Sequence, residues 1–190
     1  MAELLKATGI YYRNELRSIH KNGVKLQPVY EAFTNSWESI LEKYTAEHLN
    51  LGSIVIEFHY NAGMFEEDNE NNLKNLQKII ITDNGIGLNE ESFTRLLNLR
   101  DNSKSKNNKG TGRIQYLHYF DDTIFESVYK VGDNNFRKIC LTLSKKEAFL
   151  QANAILRKDF DEETDIDKTY AKVELHTILD SLLSTKNGRG

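Results

Sequence analysis

Apolar positions along the chain change period several times, and the changes mark out its elements. Leu5, Tyr12, Leu16 and Ile19 recur at helix-like intervals, which predicts a helix over 3–21, weakened by Gly9 and ended by Asn22-Gly23. Pro28, the only proline, sits where a second helix starts. Behind it Val29, Phe33, Trp37, Ile40, Leu41 and Tyr44 repeat at three and four residues. They form one apolar stripe, expected to face the core with Trp37 inside it. Glu31, Asn35, Glu38 and Glu42 fall on a different stripe of the same helix.

Beyond this helix the pattern turns to strands. Residues 53–60 and 77–82 read as a hairpin pair around 61–75, a solvated excursion rich in Asn, Glu and Asp. The continuous apolar run of the second strand predicts that it is covered. A helix follows over 90–99, then a polar, lysine-bearing loop over 100–112 and a short helix over 113–120. Residues 123–131 and 136–144 read as strands joined by the turn Gly132-Asp133-Asn134-Asn135. Two further strands, 151–158 and 170–177, flank an acidic run from Asp159 to Asp167 that reads as a solvated loop. A short helix over 178–184 and a frayed tail from 185 close the chain. Strict βαβ alternation is missing, so the expected fold is α+β. It is a two-layer sandwich of a mixed, mainly antiparallel sheet with helices on one face, in a single domain over 1–190.

Composition narrows the class. Hydrophobic residues are 39% of 190, enough for a continuous core, and the net charge is -3. That sign favours neither nucleic-acid phosphates nor an anionic membrane surface. The single cysteine, Cys140, lies in an apolar run, which predicts an inert thiol in a reducing compartment. No secretion signal or bilayer-length apolar stretch is read, so the expected location is the cytoplasm. His20, His48, His59, His118 and His176 are scattered without metal-ligand spacing. Tyr116, Tyr119, Phe120 and Phe125 read as packing residues.

Candidate chemistry lies in three segments. Glu31 and Asn35, four apart on the second helix, share one face away from the apolar stripe. An amide oxygen suits a hard cation, and a carboxylate beside it suits the handling of an attacking water. Asp83-Asn84-Gly85-Ile86-Gly87-Leu88 follows the apolar strand directly. Its glycines allow a sharp turn and close approach of backbone to ligand, and its aspartate can accept from an exocyclic amine. Ser103 to Arg113 offers Lys104, Lys106, Lys109 and Arg113 as cations, with backbone N–H groups at Gly110 and Gly112 before a helix start. It matches neither a Walker A loop nor a Rossmann fingerprint.

Taken together, these segments resemble the gyrase–chaperone–histidine kinase–MutL (GHKL) ATP-binding domains over roughly residues 28 to 176. The family's E-x-x-x-N box is matched by Glu31 and Asn35, and its D-x-G-x-G box by Asp83, Gly85 and Gly87. Its glycine-bearing lid is matched more loosely by Lys109 to Arg113. The resemblance implies a Bergerat-type fold, ATP and Mg²⁺ as ligands, and hydrolysis at the γ-phosphate. By the same resemblance Glu31 would activate water and Asn35 would bind Mg²⁺. Asp83 would accept the adenine amino group, Gly87 would let the base lie against the backbone, and Lys104 to Arg113 would form a lid. Many members carry a Gly-Thr pair before a late strand. Ala171 stands at that threonine position here, with Thr169 two residues earlier as a substitute. Gyrase, MutL and chaperone ATPases also take a cation for the γ-phosphate from a following domain. The chain is therefore expected to need a further domain, a partner or a nucleotide-dependent homodimer, and to hydrolyse ATP slowly by itself. Two alternatives stand beside this: a histidine-kinase-type phosphotransferase, and a degenerate fold that serves as an interaction module.

Overall fold

The computed structural model describes residues 2–7, 9–20, 24, 26–60, 76–97 and 112–178. In chain order the elements are β1 (Glu3–Lys6), α1 (Tyr12–Ser18), α2 (Gln27–Lys43), a short 3-10 helix (Ala46–Leu51), β2 (Ile54–Tyr60) and β3 (Leu76–Asp83). There follow α3 (Glu90–Leu97), α4 (Gly112–Tyr119), β4 (Phe120–Val131), β5 (Asn135–Ser144), α5 (Glu147–Gln151), β6 (Ala154–Thr164) and β7 (Tyr170–Ile178). The strands form one sheet in the order β1-β6-β5-β4-β7-β3-β2, and every neighbouring pair is antiparallel. Among the described residues no helix is long and apolar enough to cross a membrane.

The register explains why one face is core. Ile81 pairs with Val173, Val173 with Phe125, and Phe125 with Leu141. The next inward-facing row runs Ile79, Leu175, Thr123, Leu143. Directly opposed residues share a face, so both rows look the same way. Ile79, Ile81, Leu141, Leu143 and Leu175 join Val29 and Ala32 of α2 and Ile114, Tyr116 and Leu117 of α4 in one buried cluster, with Val173 and Phe125 packed against it. The other face bears charges in alternation. Lys78, Glu174, Lys172, Glu126 and Lys138 form ion pairs at 3.0 to 3.6 Å that step across β3, β7, β4 and β5. The result is an α+β arrangement with an apolar inner and a charged outer face, and helices α2 and α4 lie on the inner one.

Several expectations change. The sheet is antiparallel throughout its described pairs, where a mixed one was expected. The front of the chain is not one helix: Glu3–Lys6 is an edge strand against β6, and Gly9 at φ +80° breaks the path before α1. The acidic run is not a loop over most of its length, because β6 continues to Thr164. Its carboxylates are tied down, Asp161 by Arg137 at 2.8 Å and Asp159 by Thr142 at 2.6 Å. On α2, Val29, Ala32, Ser36 and Ile40 are buried, whereas Phe33, Trp37 and Leu41 are exposed, Trp37 by 43%. Trp37 is thus a surface residue. Helix α5 was not anticipated. The expected excursion over 61–75 lies outside the described residues, as do residues 100–111 of the expected loop over 100–112 and 179–184 of the expected helix over 178–184, whose first residue, Ile178, instead ends β7.

Candidate functional site

The end of β3 and the loop after it form the best-defined polar centre on the inner face. Strand β3 is apolar at Ile79, Ile80 and Ile81 and ends on Asp83, which is buried with 4% of its surface exposed. The Gly85 N–H donates to Asp83 Oδ1 at 2.9 Å. Burial pushes the Asp83 carboxyl above the ordinary carboxylate range. The Gly85 N–H, the hydroxyls of Ser36 and Ser39 and the Lys43 charge pull part of the way back. Asn84 pins the loop from outside: its Oδ1 accepts from the Ser53 N–H at 2.8 Å and its Nδ2 donates to the Leu51 carbonyl at 2.8 Å.

Both glycines are required sterically. A Cβ on Gly85 would sit 2.2 Å from Ser39 Oγ and 2.6 Å from the Ser39 backbone carbon. Gly87 has φ +79°, and a Cβ there would meet the Val128 carbonyl oxygen at 2.2 Å. The loop is then clamped from three elements. The Ile86 N–H donates to Ser39 Oγ at 3.0 Å, and the Leu88 N–H donates to Ser127 Oγ at 2.7 Å. Ser127 in turn donates to the Tyr170 carbonyl at 2.6 Å. Ala171, opposite both Asp83 and Ser127, supplies a methyl where the resemblance calls for a hydroxyl. Thr169 lies just before β7, and its Oγ1 donates to the Gly85 carbonyl at 2.5 Å.

Glu31 and Asn35 sit on the helix whose Ser36 and Ser39 reach Asp83, so α2 joins the two boxes physically. Neither a protein-family model nor a curated protein matches this chain. The site therefore rests on its geometry. Glu31 is half-buried, and its Oε1 accepts from Gln27 Nε2 at 2.7 Å; Asn35 is exposed. Across from them, α4 presents Tyr116, 3% exposed, in edge contact with the Phe125 ring at 5.9 Å between centroids. Its hydroxyl is buried and, among the described residues, meets no partner at full hydrogen-bond geometry, although the Asn35 side chain lies close enough to act on it as a hydrogen-bond partner. Burial pushes the phenol far up, the Glu31 charge pushes it further, and the Asn35 amide pulls it down.

Among the described residues no group of three or more His, Cys, Asp or Glu side chains converges. Of the anticipated site residues, Glu31, Asn35, Asp83, Gly85, Gly87 and Thr169 are placed as above. Gly112 begins α4. Lys104, Lys109 and Gly110 lie outside the described residues. Sequence reasoning missed Ser36, Ser39, Ser127 and Tyr116. A readable signal existed for Ser36, the one hydroxyl at a position spaced with Val29, Ala32 and Ile40.

Proposed function

We propose that this chain is a GHKL-type ATP-binding domain with a Bergerat-type fold, which holds Mg–ATP and hydrolyses it slowly. The observation that supports this most is the seating of α2 on the loop after β3. Ser39 bonds the loop and reaches Asp83 from the helix that bears Glu31 and Asn35. An adenine acceptor and a cation-and-water face thereby belong to one rigid unit.

In this reading the recessed Asp83 accepts the exocyclic amine of adenine, and Gly85 and Gly87 let the loop beside it close on Ser39 and the Val128 carbonyl oxygen. Thr169 holds the Gly85 carbonyl and so fixes the curvature of the loop. The Asn35 amide oxygen is a fitting single protein ligand for Mg²⁺, a cation that keeps several waters and takes the rest of its shell from phosphates. Bound Mg²⁺ would neutralise charge on the β- and γ-phosphates. Glu31, held at one oxygen by Gln27, has its other oxygen to orient or deprotonate a water. Lys104, Lys109, Gly110 and Gly112 are assigned to a phosphate-covering lid, and a partner domain or second copy to the γ-phosphate cation.

Replacing Glu31 by Ala separates binding from turnover. The variant is expected to bind ADP and a non-hydrolysable ATP analogue as the wild type does, with phosphate release slowed about 100-fold or more. Turnover that survives the substitution would remove Glu31 from the mechanism. A second reading, nucleotide binding without turnover, draws on Ala171, whose methyl faces Asp83. Wild-type binding with no phosphate release would favour it.

A further inference from the structure

Among the described residues, the Tyr116 hydroxyl and Thr123 Oγ1 are the buried polar atoms of the inner face without a hydrogen bond of full geometry, and Tyr116 lies within reach of Glu31 and Asn35 of α2. A phenylalanine would keep the edge contact with Phe125 and the seat between α2 and the sheet without burying a hydroxyl whose hydrogen bonding is incomplete among the described residues. Such a group is retained at a cost unless another state of the molecule gives it a partner. Two polar side chains of α2 face it, and their chemistry is complementary. Asn35 has an N–H₂ to donate, and Glu31 has an oxygen to accept, since Gln27 already occupies Glu31 Oε1. A phenolic oxygen can take one hydrogen bond and give another.

We infer that Tyr116 is a positioning residue for the cation-binding amide. Its oxygen accepts from Asn35 Nδ2 while its hydroxyl proton is donated to Glu31, which turns Asn35 Oδ1 toward the metal. This rests on the nucleotide reading above and deepens it. The amide has two ends, and without a director either end can face the cation. Nδ2 toward Mg²⁺ is repulsive, so an undirected Asn35 binds it less well. Tyr116 is built to sort the ends, because its oxygen faces the amide from inside the protein while the cation approaches from the solvent side. The same hydroxyl couples the metal ligand to the water-activating carboxylate, so the two are set together. Until the pair closes fully, the hydroxyl stays short of a complete hydrogen bond among the described residues.

The test is calorimetric titration of ADP into wild type and Tyr116→Phe, without metal and across a range of Mg²⁺ concentrations, with thermal unfolding of both. The variant is expected to unfold no earlier than wild type, because it loses only a buried hydroxyl without a complete hydrogen bond. Metal-free ADP affinity should be unchanged within about twofold, and the Mg²⁺ needed for half-maximal tightening should rise about tenfold, as for a group that orients a metal ligand. In an Asn35→Ala background Tyr116→Phe should have no further effect on the Mg²⁺ dependence. A Mg²⁺ dependence identical in wild type and variant would reduce Tyr116 to packing and overturn the inference while leaving nucleotide binding intact. Wild type that binds no nucleotide in any condition would overturn both. A variant that loses metal-free and metal-dependent binding together would show a general structural role and overturn the positioning one.

Discussion

Gly87 combines a left-handed backbone with a Cβ position already taken by the Val128 carbonyl oxygen. An alanine there must strain the loop and push β4 away at once. Gly87→Ala is expected to cost about 1–3 kcal/mol in denaturant unfolding, and an unchanged midpoint would show that the loop bends freely. Asp83 gives a prediction with a pH sign. Burial raises its carboxyl pKa in the folded chain. The folded state therefore holds its proton to higher pH than the unfolded state does, and Asp83 costs stability once pH rises through that window. Asp83→Asn should unfold no earlier than wild type at pH 7, with its advantage shrinking toward about pH 4, the ordinary carboxylate range. A variant more destabilised at pH 7 than at pH 4 would mean that hydrogen bonds to the carboxylate outweigh its burial. The glycines and the aspartate were legible in the sequence because a turn after an apolar strand announces itself. Ser39 and Tyr116 were not. A helical serine reads as solvated and a tyrosine as packing until the helix is known to lie on β3.

Helix α2 shows why periodicity finds an element more surely than its buried side. Its start at Pro28 and its length were readable, and Val29 and Ile40 are core as expected. The close approach to the sheet, however, is made by the small Ala32 and Ser36, and the bulky Phe33, Trp37 and Leu41 are rotated outward. On β2, Ile56 and Phe58 share the inner face with Ile81 and Ile79 and are likewise exposed. Ile40→Ala should cost about 2–5 kcal/mol, and Trp37→Ser about 0.5 kcal/mol or less. As Trp37 is the only tryptophan, native fluorescence should already be solvent-like and shift little on unfolding. A strongly blue-shifted native emission would put Trp37 back in the core. The acidic half of β6 was misread for a related reason. Charge argues for solvent only until the strand's neighbours are known, and here Arg137 and Thr142 of β5 receive Asp161 and Asp159.

Across the whole molecule, the order of hairpins was legible and the order of strands was not. The pair β4–β5 follows from short-range turn chemistry, and β2–β3 from strand pattern. The insertion of β7 between β3 and β4 is a long-range choice, fixed by matching apolar rows such as Ile81, Val173 and Phe125. The same strand carries the outer ion-pair ladder. Burial raises the Glu126 carboxyl, but hydrogen bonds from Tyr170 and Lys138 and the Lys172 charge outweigh it, so its pKa lies below the ordinary value. Glu174 is likewise lowered, its burial outweighed by Lys172, His176 and Lys78. A lowered acid contributes stability above its unfolded pKa and loses it as pH falls through the folded one. The double variant Glu126→Gln and Glu174→Gln should therefore be less stable than wild type at pH 7, with the gap closing below about pH 4. A gap that persists in acid would make the ladder a matter of shape rather than charge.

The central claim is that α2 and the loop after β3 together form a nucleotide site. It is tested most directly by calorimetric titration of ADP and a non-hydrolysable ATP analogue, with Mg²⁺, into the wild-type chain and Asp83→Asn. Saturable binding by wild type, abolished in a variant that unfolds at the same temperature or above, is the predicted result. A folded wild-type chain that takes up neither nucleotide would contradict the account.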